Sequence, residues 1–311
     1  MTETDTAVLA KTELVDTAVL AKTELVTDYE RCAEILKEVQ GLPDPIVGLD
    51  CEGLNVGMNG IITLVQIGLP DGRAFIFDVL KGPRLFSLGG LQAFLESKSV
   101  IKVMHDCRGD SVNLREQFGV TLQNVFDTQA AYTALQIQET GEPAYSVKHL
   151  GLRAICKNYG ARFNIPKKDK SIYKAHNQYW EQRPLTQGMI VYSALDVLVL
   201  VPEVYESMNR QILPELRNFV TELSKEQALM NIDNEIDEYR IHLRKIYKKE
   251  IGELERKIIG AAEAQRKIDL TFKDIGLLRH LQLPTEIKTN VQKYYRHPQL
   301  IQRIQTETEK T

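Results

Sequence analysis

The chain has 311 residues, of which 43% are hydrophobic and 26% are charged, with a formal net charge of -3 at pH 7. This composition indicates a globular protein with one large core and an appendage, or with two domains. The overall charge gives no nucleic-acid signature, so any anion binding must come from local clustering. No apolar stretch reaches the roughly 20 residues that span a bilayer, and no signal peptide is recognisable, so we expect a cytoplasmic or nuclear protein. The four scattered cysteines lack the spacing of a zinc site or a disulfide framework and favour a reducing compartment.

The N-terminus carries a tandem duplication, because the sequence DTAVLAKTELV at 5–15 recurs at 16–26. Two copies are too few for a solenoid. The first copy has no predicted place in the fold, so residues 1–22 are expected to be an N-terminal extension, helical or frayed. The second copy runs into a predicted strand at 23–27 and a helix with an apolar face formed by Cys32, Ile35, Leu36 and Val39.

From Ile46 onward the pattern is that of an α/β protein. A first strand is followed by two apolar strands joined by Pro70-Asp71-Gly72, which predicts an antiparallel hairpin. Strands and helices then alternate, and several helices follow through to Met208. This order predicts a mixed β-sheet flanked by helices. The predicted elements after the first strand are strands at 61–69 and 73–79, a helix at 91–97, a strand at 100–105, a helix at 111–118 and a strand at 124–126.

Beyond about residue 213 the composition shifts toward Glu, Lys and Arg. Apolar residues recur mostly every three or four positions over 232–259, which predicts a long amphipathic helix. This helix either packs on its own domain or forms a helical hairpin or dimer contact, and the pattern leaves both open. We therefore predict a domain over 23–212 and a helical C-terminal region over 213–311.

Two carboxylates, Asp50 and Glu52, follow the apolar run 46–49, where a buried strand should be ending. Alternate residues of a strand point to one face, so both acids project to the same side and Cys51 to the other. Neighbouring carboxylates raise each other's pKa unless a cation lies between them, and a hard divalent cation is the usual partner. Taken alone, the pair is more often a strand end with two solvated acids.

Further candidate residues lie on later elements. Tyr192 and Asp196 are four residues apart in an apolar helix predicted over 189–201, so they share one face. A buried Asp196 would need a hydrogen-bond partner or a cation, although a tyrosine and an aspartate on a helix, taken alone, are more often structural. Asp106 and Asp110 lie where a strand gives way to a helix, and each also fits a helix cap. Spacing alone does not choose between these two aspartates.

A basic segment at 153–174 lies between Asp110 and Tyr192 in the sequence. Its aromatic residues Tyr159, Phe163 and Tyr173 are interleaved with seven cations and one acid, Asp169. Such a segment can follow a phosphate backbone and stack bases, and a solvated surface is the alternative. The cations are Arg153, Lys157, Arg162, Lys167, Lys168, Lys170 and Lys174.

In chain order, D-x-E on a strand, an aspartate after a later strand and Y-x-x-x-D on a late helix resemble the motifs of the DEDD exonuclease superfamily, tyrosine subclass, the group of RNase D. The frame VMHDCRGDSVNL is similar to the second motif, with Asp110 in the metal-binding place. The phrases DCEGLNVG, ITLVQIG, FIFDV, NVFDTQ and W-x-x-RPL resemble one branch more closely, the exonuclease 3'-5' domain-containing proteins related to Egalitarian. The resemblance covers residues 23–208.

This resemblance implies an RNase H-like fold and a metal-dependent 3'-5' exonuclease. The implied substrate is single-stranded RNA, with DNA left open, and the products are nucleoside 5'-monophosphates. Asp50, Glu52, Asp110 and Asp196 would bind two divalent cations, Mg²⁺ or Mn²⁺, and Tyr192 would orient the attacking water. Asp127 is expected to cap a helix instead of binding metal.

The same resemblance leaves a second class of function open. Members of this branch act as RNA-binding adaptors in RNA transport and small-RNA pathways, where catalysis is dispensable. The complete set of four acids and one tyrosine favours the enzyme. The expected partners are single-stranded RNA, a second copy of the chain bound through the C-terminal helices, and proteins of an RNA-processing complex, with no membrane.

Overall fold

A computed structural model describes residues 17–57, 59–160 and 178–287, with Arg279 as backbone only. The contacts group the chain into two compact units, one formed by residues 1–132 with 149–236 and the other by 133–148 with 237–311. The first copy of the duplication, at 5–15, lies outside the described residues. The functional division predicted between residues 212 and 213 stays a prediction.

The first unit is built on a six-stranded mixed sheet with the order β1-β4-β3-β2-β5-β6. The central strands β2, β3 and β4 are antiparallel neighbours, whereas β1 pairs with β4, β5 with β2 and β6 with β5 in parallel. The predicted hairpin and the predicted mixed sheet flanked by helices are thereby confirmed. The strands are β1 (Thr23–Val26), β2 (Ile46–Leu54), β3 (Ile61–Gly68), β4 (Ala74–Asp78), β5 (Ile101–Met104) and β6 (Val125–Asp127).

Helices cover both faces of this sheet. The helix α1 buries its predicted apolar face, and the late apolar helix α6 packs on β2, β3 and β4. The described α-helices that begin before residue 230 are α1 (Tyr29–Gln40), α2 (Leu91–Leu95), α3 (Arg108–Phe118), α4 (Thr128–Thr140), α5 (Leu152–Tyr159), α6 (Gln187–Leu198), α7 (Tyr205–Gln211) and α8 (Arg217–Leu229).

Several helix boundaries differ from the predicted ones, among them those of α6 and α3. The helix α6 ends at Leu198 and not at Val201, because Val201 has extended angles (φ -132°, ψ 137°) before Pro202, a residue that disfavours helical geometry in its predecessor. The helix α3 begins at Arg108, three residues before the predicted Ser111, so Asp110 lies in its first turn.

The two faces of β2 have different neighbours. Val47, Leu49 and Cys51 belong to the main hydrophobic core, on the face that α1 covers. Asp50 and Glu52 therefore project from the opposite face. On that face the side chains of β3 and β4 pack against α6 in two smaller apolar clusters. The strand alternation predicted from sequence thus places both acids under α6.

The second unit contains most of the long helix α9 (Asn234–Glu263) and α10 (Phe272–Leu277). The predicted helix over 232–259 is confirmed. Only its C-terminal half contributes buried apolar residues, and these form a small core with α10 and the residues that follow it. The core consists of Leu254, Ile258, Leu277 and Leu281. Near its other end, α9 leaves Tyr239 and Ile241 more than half exposed.

One described helical stretch, Gln187–Gln211, is long and apolar enough to cross a membrane. However, 67% of its most apolar window is buried inside the protein. The burial agrees with a core helix, and α6, which forms the N-terminal part of this stretch, packs on three strands of the sheet.

Candidate metal centre

Three of the predicted acids converge where β2 meets α6. Asp50 and Glu52 lie on β2 and Asp196 lies in the last turn of α6. One carboxylate oxygen from each lies within 4.8 Å of the other two. Glu52 and Asp196 are buried, whereas Asp50 is partly exposed. The sequence therefore brings together, from residues about 145 positions apart, a group of three carboxylates with an opening to solvent on the Asp50 side.

A pair of glycines lets α6 approach the sheet closely. Gly48 on β2 and Gly68 on β3 are opposite each other, and both face Val197 of α6. At either position a β-carbon would overlap Val197. Because Val197 follows Asp196, this backbone-to-backbone approach lowers the Asp196 carboxylate toward the two acids of β2.

Tyr192 lies one turn before Asp196 on α6, as predicted. Its ring centroid is 5.9 Å from that of Trp180, which is itself buried against Leu64 and Ile76 of the sheet. Tyr192 therefore packs beside a buried tryptophan, one helical turn from Asp196. This position is compatible with a role for its hydroxyl beside the carboxylates.

Asp110 lies on a different element from the group of three acids. It lies in the first turn of α3 and is 7% exposed. Burial, and then the charges of Asp110, Asp50 and Glu52, raise the pKa of the Cys51 thiol well above its ordinary value. Asp110 is thus within electrostatic reach of the strand that carries the other acids. It is not a member of the group within 4.8 Å, so its part in metal binding stays a prediction.

Asp106, the competing aspartate, has a different environment. Arg108 donates two hydrogen bonds to its carboxylate, at 2.5 and 2.7 Å, and His149 Nδ1 lies 3.9 Å away. Burial opposes ionisation, but the nearby His149 and the hydrogen bonds from Arg108 prevail and hold the pKa of Asp106 well below its usual range. Asp106 is therefore already matched with a cationic side chain, which supports the choice of Asp110.

Asp127 caps a helix, which confirms the prediction made for it. Its carboxylate accepts hydrogen bonds from the backbone N–H groups of Gln129, at 2.7 Å, and of Cys107, at 2.8 Å. The same side chain therefore fixes the start of α4 and the turn that leads into α3.

A short 3₁₀ turn, Tyr179–Glu181, borders the carboxylates and was not predicted to belong to the site. Burial, and then the charge of Glu52, raise the pKa of Tyr179, so the phenol lies within electrostatic reach of that acid. The Thr63 hydroxyl is 2.8 Å from the Trp180 carbonyl and 3.3 Å from that of Glu52. Thr63 is the extra residue of a bulge in the β2–β3 pairing, so a local irregularity links the turn to the strand that carries Asp50 and Glu52.

An ion pair between Arg183 and Asp78 connects the same turn to β4. The Arg183 guanidinium donates to both carboxylate oxygens of Asp78 on β4, at 2.5 and 2.8 Å, and to the Trp180 carbonyl at 2.9 Å. The Asp78 side chain is 2% exposed and that of Arg183 is 11% exposed. The W-x-x-R-P-L phrase of the sequence is therefore a structural anchor for the turn.

Two of the predicted cations lie in the described part of the chain. Arg153 and Lys157 are exposed on α5, four residues apart and hence on one side of the helix. Burial, and then the charge of Asp196, raise the pKa of Cys156 to about 12, which places this helix near the carboxylate group. The remaining predicted cations lie outside the described residues, namely Arg162, Lys167, Lys168, Lys170 and Lys174.

The donor set suits a hard divalent cation. All the converging ligand atoms are carboxylate oxygens, the type that Mg²⁺ and Mn²⁺ prefer. Three like charges within 4.8 Å repel one another, and a divalent cation among them would balance that repulsion. The residues therefore fit the metal site that the sequence predicts.

A family model described as 3'-5' exonuclease matches residues 23–213. The chain belongs to this 3'-5' exonuclease family. The predicted membership in the DEDD, RNase D-like group is thereby confirmed, and the matched span contains each of the five predicted catalytic positions.

The relatives of the chain point to the same group. It is 32% identical to the mouse piRNA biogenesis protein EXD1 over 167 residues, which are 50% of this chain and 28% of that protein. It is 29% identical to Ribonuclease D of Desulfotalea psychrophila over 202 residues, which are 64% of this chain and 48% of that protein. The chain thus spans less than half the length of either relative.

A solved structure shares the fold. Escherichia coli RNase D, an exoribonuclease involved in structured RNA processing, superposes with a TM-score of 0.55 at 19% identity. The likeness covers 68% of this chain and 51% of that one. It shows that the mixed sheet and its flanking helices are those of an RNase D exonuclease fold.

Proposed function

We propose that this exonuclease-family chain is an active, metal-dependent 3'-5' exonuclease that shortens single-stranded RNA, or DNA, to nucleoside 5'-monophosphates. The observation that carries the proposal is the convergence of Asp50, Glu52 and Asp196 within 4.8 Å. A retired nuclease can lose such ligands freely, and here they are present and close together although like charges repel. Similarity to Ribonuclease D supports RNA as the substrate.

In this proposal each acid has its own role. Asp50 would hold both cations, Glu52 and Asp196 would complete the site beside the attacking water, and Asp110 would serve the second cation, mostly through water. Tyr192 orients the attacking water by a hydrogen bond from its hydroxyl. When bound, the two cations would stabilise charge on the entering and leaving oxygens of the phosphodiester.

The substrate would reach this centre along a basic path. Arg153 and Lys157, exposed on a helix near Asp196, would bind backbone phosphates. The cations predicted between Arg162 and Lys174 would extend this path. Residues 23–212 would form the exonuclease domain, and 213–311 a helical region with a different task.

A direct test uses the full chain with Mn²⁺ or Mg²⁺ and single-stranded RNA labelled at its 3' end. We expect release of the label as a mononucleotide, and loss of this release in Asp50→Asn. Asp71→Asn, which alters an exposed acid of the β3–β4 turn, is the matched control and should retain wild-type activity. A DNA of the same sequence measures the sugar preference.

An RNA-binding adaptor is the second candidate, and the similarity to a piRNA biogenesis protein favours it. In that case the wild type would bind the RNA and leave its length unchanged with either metal. A gel-shift measurement with the same labelled RNA records binding beside the release of label, so binding without shortening would replace the enzyme by the adaptor.

We further propose that a second copy of the chain, or a protein of an RNA-processing complex, binds α9. The supporting observation is the exposed apolar side chain of Tyr239, 53% exposed, with the partly exposed Leu243 one turn further along the same side of the helix. Apolar residues at helical spacing that do not contribute to a core are typical of helix-to-helix contacts. A homodimer is the form that we expect.

A further inference from the structure

Gln66 is a buried polar residue beside the carboxylate group. It lies on β3 directly opposite Asp50 of β2, and its neighbours Val65 and Ile67 belong to the main core on the other face. Gln66 therefore projects from the same face as Asp50. Side chains of residues paired in this way have β-carbons about 5 Å apart, well within the length of a glutamine.

The amide of Gln66 lacks the partners that burial normally requires. Its exposure is 0%, and neither its nitrogen nor its carbonyl oxygen has a hydrogen-bond partner among the described residues. Most buried polar side chains in proteins are hydrogen-bonded, because an unsatisfied one costs about 1 to 3 kcal/mol. A glutamine kept at this position, where leucine or methionine would fill the same space, therefore needs a reason.

Ser193 of α6 is a second residue of this kind, in the same layer. It is also 0% exposed, and its hydroxyl has no partner within the part of the chain that the structure describes. Met189, Ser193 and Val197 share one face of α6 because they are four residues apart. Met189 packs on Leu64 of β3 and Val197 packs on Gly68.

This packing fixes where Ser193 lies. Leu64, Gln66 and Gly68 alternate along one face of β3, and the helix contacts the first and the last of them through the residues one turn on either side of Ser193. Ser193 is therefore placed above Gln66. The two polar side chains form one buried layer between α6 and the sheet, next to Asp50.

We infer that Gln66 is a positioning residue for the metal centre, and that Ser193 orients it. In the metal-bound protein the Ser193 hydroxyl would donate to the Gln66 carbonyl oxygen and turn the amide N–H groups toward Asp50, contacts that the described structure does not make. One N–H would then donate to the Asp50 carboxylate and fix its orientation for cation binding. The inference rests on the proposed function, because it assigns Gln66 to the same metal site.

This role predicts opposite effects on stability and on metal affinity. Gln66→Leu removes an unsatisfied buried amide and keeps the volume, so the metal-free protein should melt about 2 °C higher or more. The same change frees Asp50, so the affinity for Mn²⁺ should fall about tenfold or more, the usual effect of losing a hydrogen bond to a metal ligand. If Gln66 had only a structural role, Gln66→Leu would instead lower the melting temperature of the metal-free protein.

The experiment measures thermal unfolding in EDTA and Mn²⁺ binding by titration calorimetry, with the full chain. Gln227→Leu is the matched control, because Gln227 is also buried, on α8, with an unpartnered carbonyl oxygen. It should share the gain in melting temperature and leave Mn²⁺ affinity unchanged. Ser193→Ala should weaken Mn²⁺ binding less than Gln66→Leu, and the double variant should bind like Gln66→Leu alone, because the serine acts through the glutamine.

Asp50→Asn separates the inference from the proposed function. If Asp50→Asn loses Mn²⁺ binding while Gln66→Leu binds as the wild type does, the positioning role is wrong and the metal site stands. A lower melting temperature of Gln66→Leu in EDTA also overturns the role. If the wild type binds no Mn²⁺, the proposed function and the positioning role fail together.

Discussion

Gly48 on β2 and Val197 on α6 are so close that a β-carbon on the glycine would overlap the valine carbonyl oxygen. The side chain of every other residue type is therefore excluded from position 48 unless the helix moves. Because Asp196 precedes Val197, the absence of a side chain at Gly48 allows the Asp196 carboxylate to lie close to the sheet. The glycine thus contributes to the site by allowing α6 to pack closely on β2.

We expect Gly48→Ala to displace α6 and to cost about 3 kcal/mol of unfolding free energy, the upper range for a methyl group forced into a packed core. Mn²⁺ affinity should fall with it, since Asp196 moves away from Asp50. Chemical denaturation and metal titration measure the two effects. Gly188→Ala is the control on the same helix: its β-carbon would meet no atom closer than 3.9 Å, so the alanine should stabilise α6 slightly.

The buried ion pair between Arg183 and Asp78 gives a second prediction. Arg183→Met leaves the Asp78 carboxylate, 2% exposed, without its bidentate partner. The expected loss is about 3 to 5 kcal/mol in denaturant unfolding, because an uncompensated buried charge is costly. Nuclease activity should also fall, since the guanidinium anchors the turn at Trp180 beside the site.

The control for this prediction is an arginine pair at the surface. Arg73 contacts Glu38 at 2.7 Å and Asp71 at 2.8 Å, with 37% of its side chain exposed. Arg73→Met should cost less than about 1 kcal/mol, because water screens exposed pairs. Equal losses in the two variants would contradict the assignment of Arg183 as a buried anchor.

The sequence predicted the elements well where a local pattern sets them. Strand alternation placed Asp50 and Glu52 on one face, and the four-residue spacing placed Tyr192 above Asp196. The end of α6 was missed, because a periodic apolar run continues to Val201 although the Val201–Pro202 step cannot be helical. The spacing of apolar residues does not show where a helix ends, whereas the backbone leaves the helical conformation at Val201.

The supporting residues of the site were beyond the reach of sequence patterns. The register of β3 against β2 places Gln66 and Thr63 beside the site, and Arg183 binds a partner 105 positions away in the sequence. The sequence signals were present as a glutamine inside an apolar strand and a glycine two residues further on. Their interpretation required the pairing that only the folded sheet provides.

Lys102 predicts a pH dependence of stability. It is fully buried on β5, its Nζ donates to the Ser97 carbonyl at 2.5 Å, and burial lowers its pKa to about 7. Between pH 7 and its ordinary value of about 10.5, the unfolded chain binds a proton at this lysine that the folded chain does not. The contribution of Lys102 to stability therefore increases as pH rises through this window.

Lys102→Met isolates this contribution, because every other group titrates equally in both proteins. From pH 7 to pH 9 the wild type should gain about 2 kcal/mol of unfolding free energy relative to Lys102→Met. Urea unfolding at the two pH values measures the difference. Parallel pH profiles would show that Lys102 stays protonated in the folded protein.

Lys157 gives a prediction for nucleic-acid binding that is independent of catalysis. A lysine that contacts one phosphate of a single strand contributes about 0.7 to the slope of log affinity against log salt concentration. Lys157→Ala should therefore weaken RNA binding and reduce that slope by about this amount. Lys37→Ala is the control, because Lys37 also lies in the last turn of its helix, α1, which packs on the other face of the sheet. An unchanged slope in Lys157→Ala would remove this residue from the RNA path.

The long helix α9 gives the last prediction, the oligomeric state. Its apolar positions Tyr239 and Leu243 lie on one side of the helix, and in the described structure the buried residues of α9 are Leu254 and Ile258. If a second copy covers this side, light scattering should give twice the 35.4 kDa mass of the chain. Charges placed at the contact should then dissociate the dimer, because they cannot be buried unpaired.

The variant with Tyr239→Glu and Leu243→Glu should therefore give the mass of one chain, with an unchanged helical circular-dichroism signal. Lys245→Glu, at an exposed position on another side of α9, is the control and should remain dimeric. A wild type that scatters as a single chain at micromolar concentration would contradict the homodimer. A dimer that survives both glutamates would place the contact between copies on a different surface.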